Sequence, residues 1–131
     1  MRQNIVLWNF FAHLKKELLV ELRRNPRITV TWRGFLKMND GHLIPVRAQN
    51  VSESGLLIVC PQSLPVSREY QMMLEVPCID HSDAPAYKVA CRVSVLHSIL
   101  SGDSFRIGVE FLELSSLHRD LIAAWVSLTN K

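Results

Sequence analysis

At 131 residues, 48% hydrophobic and 21% charged, the chain is sized for one domain with a buried core, which excludes disordered and fibrous classes. Cys60, Cys78 and Cys91 are odd in number and form no CxxC pair, so neither a disulfide framework nor a zinc knuckle is expected and a reducing cytoplasm fits. The net charge of +3 is uneven: residues 1–47 hold nine Lys/Arg against three Asp/Glu, and the rest of the chain holds six against nine, a concentration that points to a local anion site.

The chain begins with an amphipathic pattern. Leu7, Phe11, Leu14, Leu18 and Leu22 recur at spacings of four and three, predicting a helix over about residues 4–22 with these side chains on one face. His13, Lys16, Glu17 and Glu21 fall on the other side. No small-residue cleavage site follows the short apolar stretch 5–12, and no apolar run reaches bilayer length, so neither a signal peptide nor membrane insertion is expected. Pro26 forces the helix to stop near Arg23–Arg24.

From Ile28 the period becomes two. Ile28, Val30, Trp32, Leu36 and Met38 alternate with Thr29, Thr31, Arg33 and Lys37, the pattern of a strand with one buried face, and Gly34 within it predicts a bulge or bend. Asn39-Asp40-Gly41 supplies turn chemistry for a hairpin into a strand over 43–49. Further strands are expected at about 55–60, 69–76, 86–99 and 104–113, the last two joined at Ser101-Gly102-Asp103. A terminal helix follows, capped by Ser115 or Ser116, with Leu117, Leu121, Ala124, Trp125 and Leu128 on one face. Six short strands with no helix between them predict an antiparallel barrel or sandwich.

Few residues invite catalysis. Ser52 belongs to no GxSxG elbow, and His13, His42, His81, His97 and His118 lack metal-ligand spacing. The densest ligand cluster, Cys78, Asp80, His81 and Asp83, reads as a solvated loop, and no Gly-rich phosphate loop is present. Neither an enzyme nor a metal protein is expected. Two features are sharper. Arg23-Arg24-Asn25-Pro26-Arg27 places cations between a helix end and the first strand. The helix dipole accounts for Arg23 and Arg24 but not for Arg27, which lies beyond Pro26. Asn50-Val51-Ser52-Glu53-Ser54-Gly55 is a polar turn between two strands, in which Asn50 or Ser52 can bond local backbone and Gly55 can take positive φ.

Arg23-x-x-x-Arg27 followed by Asn50-x-Ser52-x-x-Gly55 resembles the RxxxR and (D/N)xSxxG signature of the PilZ domain family. Phe105-Arg106-Ile107-Gly108-Val109-Glu110-Phe111 is similar to that family's last strand. The resemblance covers about residues 23–128. It implies a mainly β fold: a six-stranded antiparallel PilZ-type β-barrel with a C-terminal helix, here with an extra N-terminal amphipathic helix. The chain then divides into the helix at 1–22 and the barrel domain at 23–131. The implied ligand is cyclic di-GMP, a bacterial second messenger with two phosphates and two guanines, and no other cofactor. Arginine forks suit both groups, because they engage guanine O6 and N7, or a phosphate, through paired N–H donors. By the resemblance Arg23, Arg24 and Arg27 take guanine faces and phosphates, Asn50 and Ser52 read a guanine edge, and Gly55 leaves room for close approach. Two departures stand out: Asn50 carries no charge where the family also uses Asp, and the segment Val93–His97, on the strand that would face the guanine, has no ring but His97.

The resulting expectation is a receptor or adaptor that rearranges its loop and helix on binding and so regulates an effector protein. The N-terminal helix covers its own barrel, a second copy in a homodimer, or a partner. The alternative is a PilZ-like scaffold that binds protein without nucleotide. A nucleic-acid-binding barrel ranks last, for want of a strand face that interleaves aromatic and basic residues.

Overall fold

The computed structural model describes residues 26–80 and 83–129. The expected helix at 1–22 lies outside the described residues, as do Arg23 and Arg24. The strands are β1 (Ile28–Lys37), β2 (Leu43–Val51), β3 (Gly55–Cys60), β4 (Glu69–Val76), β5 (Tyr87–Ser101) and β6 (Ser104–Leu114), followed by helix α1 (Ser116–Thr129). All pairings are antiparallel, and the strands close into a barrel in the order β1-β2-β3-β6-β5-β4. A barrel rather than a sandwich therefore satisfies both edges of the sheet.

The pleat explains the core. Leu36, Ile44, Ile58, Leu74, Val89, Val93 and Ile107 point inward and are almost wholly buried, while the residues between them face outward. Each such aliphatic side chain contributes about 1.5–3 kcal/mol relative to exposure. The hairpin turns use the expected glycines in the left-handed region: Gly41 has φ 86° and Gly102 has φ 67°. Asp40 Oδ1 also accepts a hydrogen bond from the His42 N–H at 2.9 Å.

Gly34 is not a bulge. It pairs regularly with Val46 and Leu74, and the register shift lies earlier, between Thr29 and Trp32. A side chain at Gly34 would run into the Met73 carbonyl oxygen, so this glycine lets β1 and β4 approach closely.

Ser115 caps helix α1: its Oγ accepts a hydrogen bond from the His118 N–H at 3.2 Å. Its buried face differs from the sequence expectation. Ile122 and Val126 are buried, Leu121 and Trp125 pack beside them, and Leu117 and Leu128 are exposed. The cause is the anchor: Trp125 donates its indole N–H to the Pro77 carbonyl at 2.9 Å and meets Trp32 edge-on at 5.8 Å between ring centroids. That docking sets the helix rotation and places α1 at the barrel end where β1 begins and β4 stops. Among the described residues no helix is long and apolar enough to cross a membrane.

Candidate ligand-binding site

The two sequence signatures lie 23 residues apart at Arg27 and Asn50, and the β1–β2 pairing closes that gap. Ile28 pairs with Val51 and Thr29 with Asn50. Arg27, exposed and one residue before Ile28, therefore lies beside the start of the Ser52 turn. Arg23 and Arg24 fall outside the described residues.

Ser52 is the one buried polar residue among the described residues, at 1% exposure. Its Oγ accepts hydrogen bonds from the N–H groups of Ser54 and Gly55, both at 3.2 Å, and lies 3.0 Å from Ser54 Oγ. The Ser52 N–H donates to the Gly55 carbonyl at 2.9 Å, and the Phe111 N–H donates to the Ser54 carbonyl at 2.9 Å, which ties the turn to β6. The hydroxyl thus serves backbone groups that would otherwise be orphaned inside the turn.

Gly55 does not use positive φ; among the described glycines only Gly41 and Gly102 do. Its requirement is space. A side chain there would collide with the backbone of Val109 and Glu110 on β6. Gly55 pairs with Glu110, and close approach of those two backbones sets the β3–β6 register at the turn.

Asn50 behaves differently from Ser52. Its Oδ1 is shielded from solvent and has no hydrogen-bond partner among the described residues. A buried acceptor without a donor costs about 1–3 kcal/mol, so such an atom calls for an explanation. It sits in a lateral row across the outer face, set by successive pairings: Thr29 with Asn50, Asn50 with Leu57, Leu57 with Gly108, and Gly108 with His97. Irregularities flank the row, at Ala48/Asn50 on β2 and at Val95/His97 on β5. The second swings His97 across β6, where its imidazole lies over Gly108 and occupies the place a side chain would take. Strand spacing puts Asn50 roughly 10 Å from Gly108. The row thus runs from a buried acceptor past Leu57 and Gly108 to a ring edge.

Gly108, Leu57 and Thr29 were not singled out from the sequence. The available signal was a glycine inside the regular alternation of β6, which marks close approach. The ring that covers it comes from a neighbouring strand and leaves no local pattern. The loop carrying Cys78, Asp80 and Asp83 includes His81, outside the described residues, and no trio of His, Cys, Asp or Glu gathers among the described ones.

The PilZ domain family matches residues 21–128. Among solved structures, the Bacillus subtilis inhibitor of motility MotI/DgrA is similar at a TM-score of 0.72 and 12% identity, over 82% of this chain and 51% of that one. Escherichia coli YcgR in complex with c-di-GMP is similar at a TM-score of 0.64 and 14% identity, over 82% and 46%. The PilZ domain of YcgR with c-di-GMP is similar at 0.55 and 14%, over 79% and 88%. The chain thus spans about half the length of MotI and of YcgR, and shares their barrel fold. A search of curated protein sequences gave no match. With the family match running from just before the arginine run to the end of α1, the chain belongs to the PilZ domain family.

Proposed function

We propose that this protein is a cyclic di-GMP receptor whose ligand lies on the outer face of β1, β2, β3 and β6, between Arg27 and the row from Asn50 to His97. The observation that carries this reading is the shielded Asn50 Oδ1, which has no partner among the described residues. A guanine edge carries N–H donors, and one of them would satisfy that oxygen. Arg27, with Arg23 and Arg24 preceding it, supplies the planar cation fork for phosphate and for guanine O6/N7, which lysine does not reproduce. Ser52 acts through the turn: its hydroxyl is already engaged with backbone, so it holds Asn50 and Gly55 in place. Gly55 contributes the close backbone approach that seats the turn on β6. His97 provides a ring at the far end of the row. Ligand binding would engage Arg23, Arg24 and Arg27 and change what residues 1–22 present to an effector protein in the cytoplasm. The unpartnered oxygen favours this over a nucleotide-free scaffold, which has no use for it.

Calorimetric titration with cyclic di-GMP tests the reading, with linear dinucleotide and GTP as controls. The expected affinity is micromolar or tighter, about −8 kcal/mol. Arg27→Ala should weaken binding strongly, Arg27→Lys should not restore it, and Asn50→Ala should cost about 1–3 kcal/mol. Absence of heat and of thermal protection at saturating ligand would sink the receptor reading.

A further inference from the structure

On the same outer face, a second row runs one pleat repeat from the Asn50–His97 row. Arg33 pairs with Arg47, Arg47 with Val59, Val59 with Arg106, and Arg106 with Ile99. Val59, Arg106 and Ile99 each stand two positions from Leu57, Gly108 and His97, so they share that face. On β2 the irregularity at Ala48/Asn50 takes up the odd residue between Arg47 and Asn50. Arg33, Arg47 and Arg106 are all exposed. Glu75 pairs with Arg33 at 2.9 Å, whereas neither Arg47 nor Arg106 has an ion-pair or hydrogen-bond partner for its side chain among the described residues. Arg33 and Arg47 are like charges placed directly opposite each other, an arrangement that costs stability unless an anion offsets it. On the other side of the Asn50 row, β6 presents the exposed Glu110, which pairs with Gly55 and Ser94. The row is thus flanked by a carboxylate on one side and by Arg47 and Arg106 on the other.

We infer that Arg47 and Arg106 form a second anion clamp of the ligand site, closing over Val59 on the phosphate of cyclic di-GMP that points away from Arg27. The clamp rests on the receptor reading and adds two ligand-contacting residues outside the signature motifs. The ligand is a dianion with its phosphates on opposite sides of one ring, so cations at a single edge of the site leave one phosphate uncompensated. Strand geometry puts the second row roughly 7 Å from the Asn50 row and sets Arg47 and Arg106 roughly 10 Å apart, one strand to either side of Val59. Arginine side chains converging from both strands span that gap, and a phosphate above Val59 meets paired N–H donors from each. Glu110 repels the same phosphate from the opposite flank, so the charges orient the ligand as well as hold it. A phosphate in this place also offsets the Arg33–Arg47 repulsion.

Calorimetric titration of the full-length chain with cyclic di-GMP at low and high salt tests the clamp. Arg47→Ala and Arg106→Ala should each weaken binding about tenfold at low salt. Each should also flatten the salt dependence, because a charge that salt screens has gone. Arg47→Lys keeps the charge and should keep the wild-type salt dependence. Lys37→Ala removes an exposed cation at the far end of β1 and should leave both affinity and salt dependence unchanged. Without ligand, the melting temperature of Arg47→Ala should equal or exceed that of the wild type, since the opposed Arg33 is relieved. A wild-type chain that binds no cyclic di-GMP overturns the clamp together with the receptor reading. Binding that depends on Arg27 but is equal in wild type, Arg47→Ala and Arg106→Ala overturns the clamp alone. So does a loss of affinity with an unchanged salt dependence, which would make the two arginines structural.

Discussion

Two outward-facing rows on one barrel are built in opposite ways. The row from Thr29 through Asn50, Leu57 and Gly108 to His97 has a polar end, a glycine under a ring and a shielded oxygen without a partner among the described residues. The row from Pro45 through Phe35 and Met73 to Ala90 is apolar throughout and is fenced by ion pairs. Inward, the same strands present an equivalent aliphatic core. The barrel needs only its inner face to fold, so each outer face is free to specialise. The first is held at Gly55 by backbone proximity, which tolerates no added atoms. The second is held by side chains, which tolerate exchange.

The largest expected effect breaks the comparison at that point. Gly55→Ala pushes a methyl group into the β6 backbone and should cost about 3 kcal/mol of stability, with Ser52→Ala costing about 1–3 kcal/mol through orphaned turn N–H groups. Met73→Ala on the other face should cost below about 1 kcal/mol in the same urea titration. Equal losses on both faces would refute the distinction.

A subtler substitution sharpens it. The atoms that a side chain at Gly108 would meet belong to the His97 ring rather than to backbone. Gly108→Ala should therefore displace the ring with a stability change of only about 0.5 kcal/mol, yet alter cyclic di-GMP affinity. His97→Ala should change affinity in the same direction. If Gly108→Ala unfolds the domain, the floor of the row is structural rather than a place for a ring.

The smallest effect concerns the core between the two faces. Burial pushes the Cys91 thiol up to about 12 from an ordinary 9.0, and burial also raises Cys60, partly opposed by a backbone hydrogen bond from Gln62. Below pH 9 these thiols are neutral in both folded and unfolded chains, so their contribution is fully present. Between pH 9 and about 12 the unfolded chain ionises first, and stability falls as pH rises. Cys91→Ala should show a shallower alkaline decline in melting temperature than wild type; identical slopes would remove Cys91 from the account.

Much of this molecule is legible from its residues because the signals are local. Period-two alternation marks the six strands to within one or two residues, and Asn39-Asp40-Gly41 and Ser101-Gly102-Asp103 announce their hairpins by turn chemistry. The sequence reads residues 50–55 as one polar turn, but only 52–54 turn: Asn50 and Val51 end β2 and Gly55 opens β3, because pairing with β1 and β6 extends the strands into the motif. Ser52 and Asn50 have similar local propensities, and only the folded turn separates them: the Ser54 and Gly55 N–H groups reach Ser52 Oγ and not Asn50 Oδ1. Helix α1 lies where the periodicity puts it and packs Leu121 and Trp125 of the expected face, but it turns Ile122 and Val126 inward and leaves Leu117 and Leu128 exposed, because Trp125 is held by Trp32 and the Pro77 carbonyl.

The sequence by itself determined the elements, the turns and the order of the two signatures, since each depends on the conformational preferences of a few consecutive residues. Tertiary structure alone decided that Gly34 and Gly55 are points of close strand contact rather than bends, and that His97 covers Gly108. It also decided that Phe35, Met73 and Ala90 meet in one row. These outcomes depend on inter-strand register, which is set jointly by every pairing around a closed barrel, so no stretch of the chain encodes them separately.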